Sequence, residues 1–351
     1  MRIIYSDQHL LHAPREEFVG RTGRLQPHPE VPQRAVGILE SLRKTGIGEV
    51  LPPRRYSLEE LTAVHDPGLI EFYQNILPAW RARTGRPGPV LPDVFALRGL
   101  DLRPRDLVRQ AGYYCFDPQT PLLEGTWEAA CQAAACALTG ADLLLEGERA
   151  AYALCRPPGH HAGRDYYGGY CYLNNTALAA RRLLARGRPA VLDIDYHHGN
   201  GTQDIFYDSP EVLFASLHAD PDVSYPCFSG YREQRGSGAG LGFNHNFPLP
   251  PGTNQEAYRE ILAQALEAIR AFRPDFLVVS LGVDTVLEDP VGGLQLPVES
   301  FPGLGGMIGS LAVPVLVVQE GGYSLRLAGH CVAGFLTGLA AGGLSPVAAR
   351  R

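Results

Sequence analysis

The segment Val191-Leu-Asp-Ile-Asp-Tyr-His-His-Gly-Asn-Gly-Thr-Gln-Asp204 concentrates the residues best suited to chemistry: an apolar run leads into aspartates, a histidine pair and two glycines. Asp195 and His197 are two positions apart, so their side chains share a face if extended pairing continues through them. A carboxylate and an imidazole so placed make a ligand pair for a divalent metal. A polar loop with a helix cap would also use Asp, Asn and Gly, but it does not call for adjacent histidines after Asp-x-Asp. The run Phe276–Leu281 leads into Gly282-Val-Asp284, a further acid beyond an apolar strand. In open α/β sheets ligands gather at strand carboxyl ends. Alone, Asp284 could equally cap a helix; beside Asp195 and His197 it supplies a third ligand.

Two other segments suit proton transfer and carbonyl polarisation. Arg156-Pro-Pro-Gly-His-His161 places His160 and His161 after a stiff approach and a glycine turn. Adjacent histidines chelate one ion poorly from a loop, but they exchange protons near neutral pH. Gln319-Glu-Gly-Gly-Tyr323 follows another apolar run, and its glycines allow Tyr323 to swing over a site at the same sheet edge. A phenol there can hydrogen-bond a developing oxyanion; packing in a groove is the competing use of that tyrosine.

The elements that must position these groups are short apolar runs alternating with helical patterns. Arg2–Tyr5, Ala150–Leu154, Ala190–Ile194, Val212–Ser216, Phe276–Leu281 and Pro314–Val318 read as strands buried on both faces. A helix is expected after Ser57, with Glu60 completing a capping box. Others are expected over roughly Thr126–Glu146, Asn175–Arg186 and Asn254–Phe272, the second of these three stopped by Gly187 in a left-handed cap. Such alternation predicts a single α/β domain over 1–351, with a mainly parallel sheet between two helical layers. Leu77 to Asp106 is rich in Pro, Gly and Arg and reads as a long loop.

Composition narrows the class further. The 351 residues are 45% hydrophobic, enough for a sizeable core, and the net charge of −6 comes from interspersed acids and bases. No basic face of the kind that binds nucleic acid is evident. Seven cysteines, odd in number and without a C-x-x-C pair, suit reduced thiols and a cytoplasmic location. No signal peptide is apparent at the start, and no apolar run is long enough to span a bilayer.

Taken together, RPPGHH (156–161), GGYCYLNN (168–175), DIDYHHGNGTQD (193–204), SLHAD (216–220), SLGVDT (280–285) and EGGY (320–323) resemble the histone deacetylase family in order and spacing. The opening RIIYSDQHLLHAPREEF, AGYYC (111–115) and GTWEAA (125–130) are similar to its bacterial acetylpolyamine amidohydrolase branch. The resemblance implies the three-layer arginase/deacetylase-type fold. It implies one catalytic Zn²⁺ per chain on Asp195, His197 and Asp284, with Fe²⁺ as an alternative occupant. It makes His160 and His161 the catalytic pair, held by Asp193 and by Asn200, where many relatives have Asp. Tyr323 becomes the carbonyl clamp, and Gly169, Tyr170 and Tyr225 line the substrate tunnel. Structural K⁺ is implied at Asp193, Asp195, His197, Ser216 and Leu217, and near Phe206 and Val212.

The same resemblance points to a small acetylated amine as substrate, with Glu17 and Asp117 as candidates for its distal ammonium. Gln119 stands where relatives have an acid, and Val291 where a polyamine-selective animal relative has a gatekeeping glutamate. The 77–106 segment corresponds to an insertion that in the branch builds a homodimer and narrows the entrance. A lysine deacetylase or acetoin-utilisation-type enzyme is the nearest alternative. A non-catalytic binding protein and an arginase-like ureohydrolase are more distant, the latter because the assignable ligands hold one ion, not two.

Overall fold

The computed structural model describes residues 1–19 and 22–343. The strands are β1 (Arg2–Ile4), β2 (Glu16–Val19), β3 (Arg24–Pro27), β4 (Glu49–Leu51), β5 (Ala150–Ala153), β6 (Pro189–Asp193), β7 (Leu213–Ala219), β8 (Asn244–Leu249), β9 (Phe276–Leu281) and β10 (Val315–Gln319). Eight of them form one sheet in the order β4-β1-β5-β10-β9-β6-β7-β8. Every pairing in it is parallel. The remaining two, β2 and β3, make a separate antiparallel hairpin.

Alternation along each strand builds two cores. Leu277 and Val279 of β9 pack with the helices Gln33–Thr45, Gln255–Phe272, Ser300–Gly309 and Ala328–Ala341. Val278, between them, faces Thr126–Leu145 and Asn175–Leu183 on the other side. With both faces covered, the strands can be apolar at every position, which is why they are continuous runs in sequence. The expected three layers are therefore present. Among the described residues no helix is long and apolar enough to cross a membrane.

Several expectations need correction. The helix expected to reach Arg186 ends at Leu183, and Gly187 is not left-handed. A Cβ at Gly187 would instead overlap the Asp275 carboxylate, which accepts the Arg188 N–H at 2.8 Å. The Leu77–Asp106 segment is not a loop throughout, because the helix Pro67–Thr84 runs into it with Pro78 inside. β4 and β8 were not expected. β4 is only three residues long, and β8 (Asn-His-Asn-Phe-Pro-Leu) is too polar to read as a strand until β7 pairs with it. The Ser57–Glu60 capping box is present as expected.

Candidate active site

The four chemistry-bearing segments follow β5, β6, β9 and β10, which are consecutive neighbours in the sheet. Their carboxyl ends therefore open on one edge. β6 stops at Asp193, two residues before Asp195 and four before His197, so the strand does not extend through the pair. The ladder continues as single bonds, from Ile194 N–H to the Ser280 carbonyl (3.0 Å) and from Ala219 N–H to the Tyr196 carbonyl (2.8 Å). Within the segment Asp193 Oδ1 accepts the Asp195 N–H (3.1 Å), and Asp195 Oδ1 accepts that of His197 (2.8 Å).

The ligand atoms of Asp195, His197 and Asp284 lie within 4.8 Å of one another, and all three residues are buried. His197 Nδ1 is 3.2 Å from Asp195 Oδ1 and 3.1 Å from Asp284 Oδ2. One ring nitrogen carries at most one proton, so it cannot serve both carboxylates, and Asp284 Oδ2 has no hydrogen-bond partner. Burial and the charge of Asp195 push Asp284 up to about 7. Asp195 is held well below the carboxylate range, although burial opposes this, by His160 and His197. Two converging buried carboxylates, one with an orphaned oxygen, beside an imidazole nitrogen fit a divalent cation. Gly321 makes this approach possible, since a Cβ there would overlap both carboxylates. Its N–H also donates to Asp195 Oδ2 at 2.7 Å. A second cluster, His160, Cys171 and Glu320, has its polar atoms otherwise engaged: Glu320 accepts the N–H groups of Gly159 (2.6 Å) and His160 (3.1 Å) and the Thr176 hydroxyl (3.1 Å).

The histidine pair is differentiated by its partners. His160 Nδ1 donates to Asp193 Oδ2 at 3.0 Å, whereas His161 Nδ1 donates to Asn200 Oδ1 at 2.7 Å. Burial lowers both, but the carboxylates of Asp195 and Asp193 overrule it at His160 and raise that imidazole to about 10. At His161 burial prevails, reinforced by His160 and His197, and holds it well below 6.5. His161 is thus neutral with Nε2 free to accept a proton, the pattern of paired groups driven apart by their surroundings.

Tyr323 is fixed from two sides. Asp289 Oδ2 accepts the N–H groups of Tyr323 (2.6 Å) and Ser324 (2.9 Å), while Oδ1 accepts those of Val291 (2.9 Å) and Gly292 (3.2 Å). The Arg34 guanidinium lies 4.4 Å from the Tyr323 ring centroid and donates to the carbonyls of Gly322 (2.6 Å) and Glu320 (2.7 Å). Glu30 joins Arg34 to Arg156, at 2.8 and 2.9 Å. Burial raises the phenol well above 10, although Arg34 pulls the other way, so it remains a donor. Sequence reasoning missed Arg34, Glu30, Asp289 and Glu320. Glu320 lies within a recognised motif; the others carry no local signature.

A cavity of about 510 Å³ is lined by His161, His197, Tyr323, Gly169, Tyr170 and Tyr225, and also by Glu17, Gln119 and Val291. Glu17, on β2, accepts the Tyr170 hydroxyl and the Gln26 amide, both at 2.8 Å. Asp117 does not line the cavity. It sits behind the wall with both oxygens engaged by Gly169, Tyr225, Gln119 and Thr120, which leaves none turned toward a substrate ammonium. Of the positions expected around potassium, Asp193 and Ser216 are ladder partners, with Leu217 next along β7. Phe206 ends the helix Asn200–Phe206, and Val212 precedes β7.

The histone deacetylase domain model matches residues 28–339. The chain is 45% identical to acetylpolyamine amidohydrolase 2 of Pseudomonas aeruginosa over 329 residues, 93% of this chain and 95% of that one. It is likewise 45% identical to acetylpolyamine amidohydrolase of Mycoplana ramosa over 343 residues, 97% of this chain and all of the other. Its fold superposes on a crystal structure of acetylpolyamine aminohydrolase from Burkholderia pseudomallei with a TM-score of 0.93 at 39% identity, covering 98% and 99% of the two chains.

Proposed function

Because the chain belongs to the histone deacetylase family, we propose that it hydrolyses small acetylated amines, acetylpolyamines foremost, to acetate and the free amine. The observation that carries this is the meeting of a three-residue metal-fitting cluster, a neutral His161 and the Tyr323 phenol on one cavity that Glu17 also lines. Glu17 is buried, and no basic side chain among the described residues pairs with it. A buried carboxylate without a counter-charge favours a cationic ligand.

Asp195, His197 and Asp284 would hold one zinc ion, Fe²⁺ being the alternative. When bound, such an ion supplies a Lewis acid for the amide carbonyl and a water acidified to a pKa of roughly 7. His161 accepts the proton of the attacking water at Nε2 as oxygen adds to the carbonyl carbon. Asn200 holds the ring in the tautomer this needs. Tyr323 donates a hydrogen bond to the oxygen that becomes negative. His161 then returns its proton to the amine nitrogen as the C–N bond breaks. His160, held charged by Asp193, supplies positive potential beside the reacting centre. Gly169 with Tyr170 and Tyr225 would flank the substrate's methylene chain, and Glu17 would meet its far ammonium. Structural potassium is expected at Asp193, Asp195, His197, Ser216 and Leu217, and near Phe206 and Val212.

The insertion favours a homodimer. Val94, Leu97, Leu100 and Leu102 are large apolar residues exposed together there, next to a cavity of about 330 Å³ lined by Trp80 and Phe95. Exposed apolar clusters of this kind mark contact surfaces. The free thiols fit a cytoplasmic enzyme. The deciding experiment is kcat/KM of the zinc-loaded protein on acetylputrescine, acetylcadaverine, acetylspermine and an acetyl-lysine peptide, with Tyr323→Phe as control and gel filtration alongside. Free polyamines are expected to win, Tyr323→Phe to lose about 10²–10³ in kcat, and the protein to elute as a dimer. Preference for the peptide would make it a lysine deacetylase. A monomer that rapidly deacetylates intact histone would overturn the role given to the insertion.

A further inference from the structure

We infer that Asp117 is a positioning residue that braces the two walls of the substrate cavity against each other, with the Tyr225 hydroxyl as its second anchor. One wall is the Gly169-Tyr170 turn and the other is Tyr225, carried by the segment after β7. They meet on a single carboxylate oxygen: Asp117 Oδ2 accepts the Gly169 N–H at 2.5 Å and the Tyr225 O–H at 2.7 Å. Oδ1 accepts the Gln119 N–H at 2.8 Å and the Thr120 hydroxyl at 3.0 Å, and Thr120 Oγ1 in turn accepts the Tyr170 N–H at 3.0 Å. A phenylalanine at 225 would fill the same space and lack the bond.

The turn needs holding. Gly169 and Tyr170 are both left-handed, at φ +57 and +65, and a side chain seldom adopts that conformation without support. Gly169 has no room for a Cβ, which would overlap the His161 ring and crowd the Tyr225 hydroxyl. Tyr225 packs on Phe116 with ring centroids 6.1 Å apart and meets His161 edge-on at 5.0 Å. The brace therefore sets two things at once, the width between the walls and the face against which the catalytic imidazole rests. The carboxylate is buried behind the wall, and its four hydrogen bonds use the positions a substrate ammonium would need. Its action passes through Gly169, Tyr170 and Tyr225.

This inference rests on the proposed amide hydrolysis, so its test has one arm that needs no turnover. Asp117→Asn, Tyr225→Phe and the double variant are compared on acetylputrescine and on N-pentylacetamide, which has the same length with a methyl group in place of the ammonium. Asp117→Asn is expected to lower kcat/KM about tenfold on both amides alike, chiefly through kcat. Tyr225→Phe should give a smaller loss, and the double variant should be no worse than Asp117→Asn alone, because both changes break one brace. In parallel, amide hydrogen exchange of the substrate-free protein should speed up in residues 165–172 and 221–230 and stay unchanged in β9 and β10. A loss confined to acetylputrescine would overturn the inference and make Asp117 an ammonium ligand. Unchanged exchange in both segments would overturn it equally, and Tyr225→Phe keeps that arm available if Asp117→Asn does not fold. If the unmodified protein turns over neither amide, the proposed function fails while the exchange arm still decides the brace.

Discussion

The amide of Asn200 governs how basic His161 can become. It accepts the Nδ1 proton at 2.7 Å and so chooses the tautomer, but it carries no charge to stabilise an imidazolium. Burial, His160 and His197 already depress His161. An aspartate at position 200 would keep the hydrogen bond and add an opposite charge, which raises a neighbouring pKa by about 1–3 units. His161 must be neutral to accept a proton, so the acidic limb of the kcat/KM profile for Asn200→Asp is expected to move upward in pH, with the alkaline limb unmoved. A limb that stays in place would show that another group controls it. Asp195, His197, Asp284, His160 and His161 are legible in sequence because each stands just beyond an apolar strand. The saturation of Asp117 is not legible, since its partners come from three separate segments.

The loops after β9 and β10 act as one unit because Asp289 joins them. Four backbone N–H groups, two from each loop, end on its carboxylate. Asp289→Asn replaces one accepting oxygen by a donor that faces two other donors. Leaving buried N–H groups without acceptors costs roughly 1–3 kcal/mol each. The variant is expected to lose about 2–4 kcal/mol in denaturant unfolding, with kcat falling more than KM rises because Tyr323 loses its backbone anchor. Wild-type kcat in a destabilised protein would mean that Arg34 alone suffices to hold the phenol. At this scale local rules read well where the determinant is local. The Ser57–Glu60 box spans four residues, and Asn254 caps its helix by accepting the Ala257 N–H at 3.0 Å. They fail at Gly187, where the reason for glycine is an Asp275 carboxylate arriving from elsewhere in the chain.

Across the whole molecule, several histidines are buried where desolvation favours the neutral ring. His65 donates from Nδ1 to the Gly163 carbonyl and accepts the Asn174 N–H at Nε2, both at 2.9 Å. His218 bridges the Ser216 hydroxyl and the Gly230 carbonyl in the same way. Burial lowers His65 and His218 to about 4 and His12 to about 3, from 6.5. Below pH 6.5 the unfolded chain therefore takes up protons that the folded chain refuses, and stability falls as pH drops toward 4. The slope is about 1.4 kcal/mol per pH unit for each ring. The buried carboxyls of Asp284 and Glu320, raised to about 7, work in the opposite direction over the same range. With more rings lowered than carboxyls raised, Tm is expected to decline from pH 6.5 to 4.5 in thermal unfolding; a Tm that rises over that range would show that the carboxyls outweigh the rings.

The sequence by itself determined the layered α/β plan and the four strand ends that carry chemistry. It could do so because apolar runs, capping residues and strand-end placement are properties of short stretches. Only the tertiary structure decided that β5, β10, β9 and β6 lie side by side. It also decided that a polar stretch becomes the edge strand β8, and that Arg34 reaches a carbonyl 288 residues away to support Tyr323. Pairings across such distances depend on how both helical layers pack onto the sheet, and no local pattern records them.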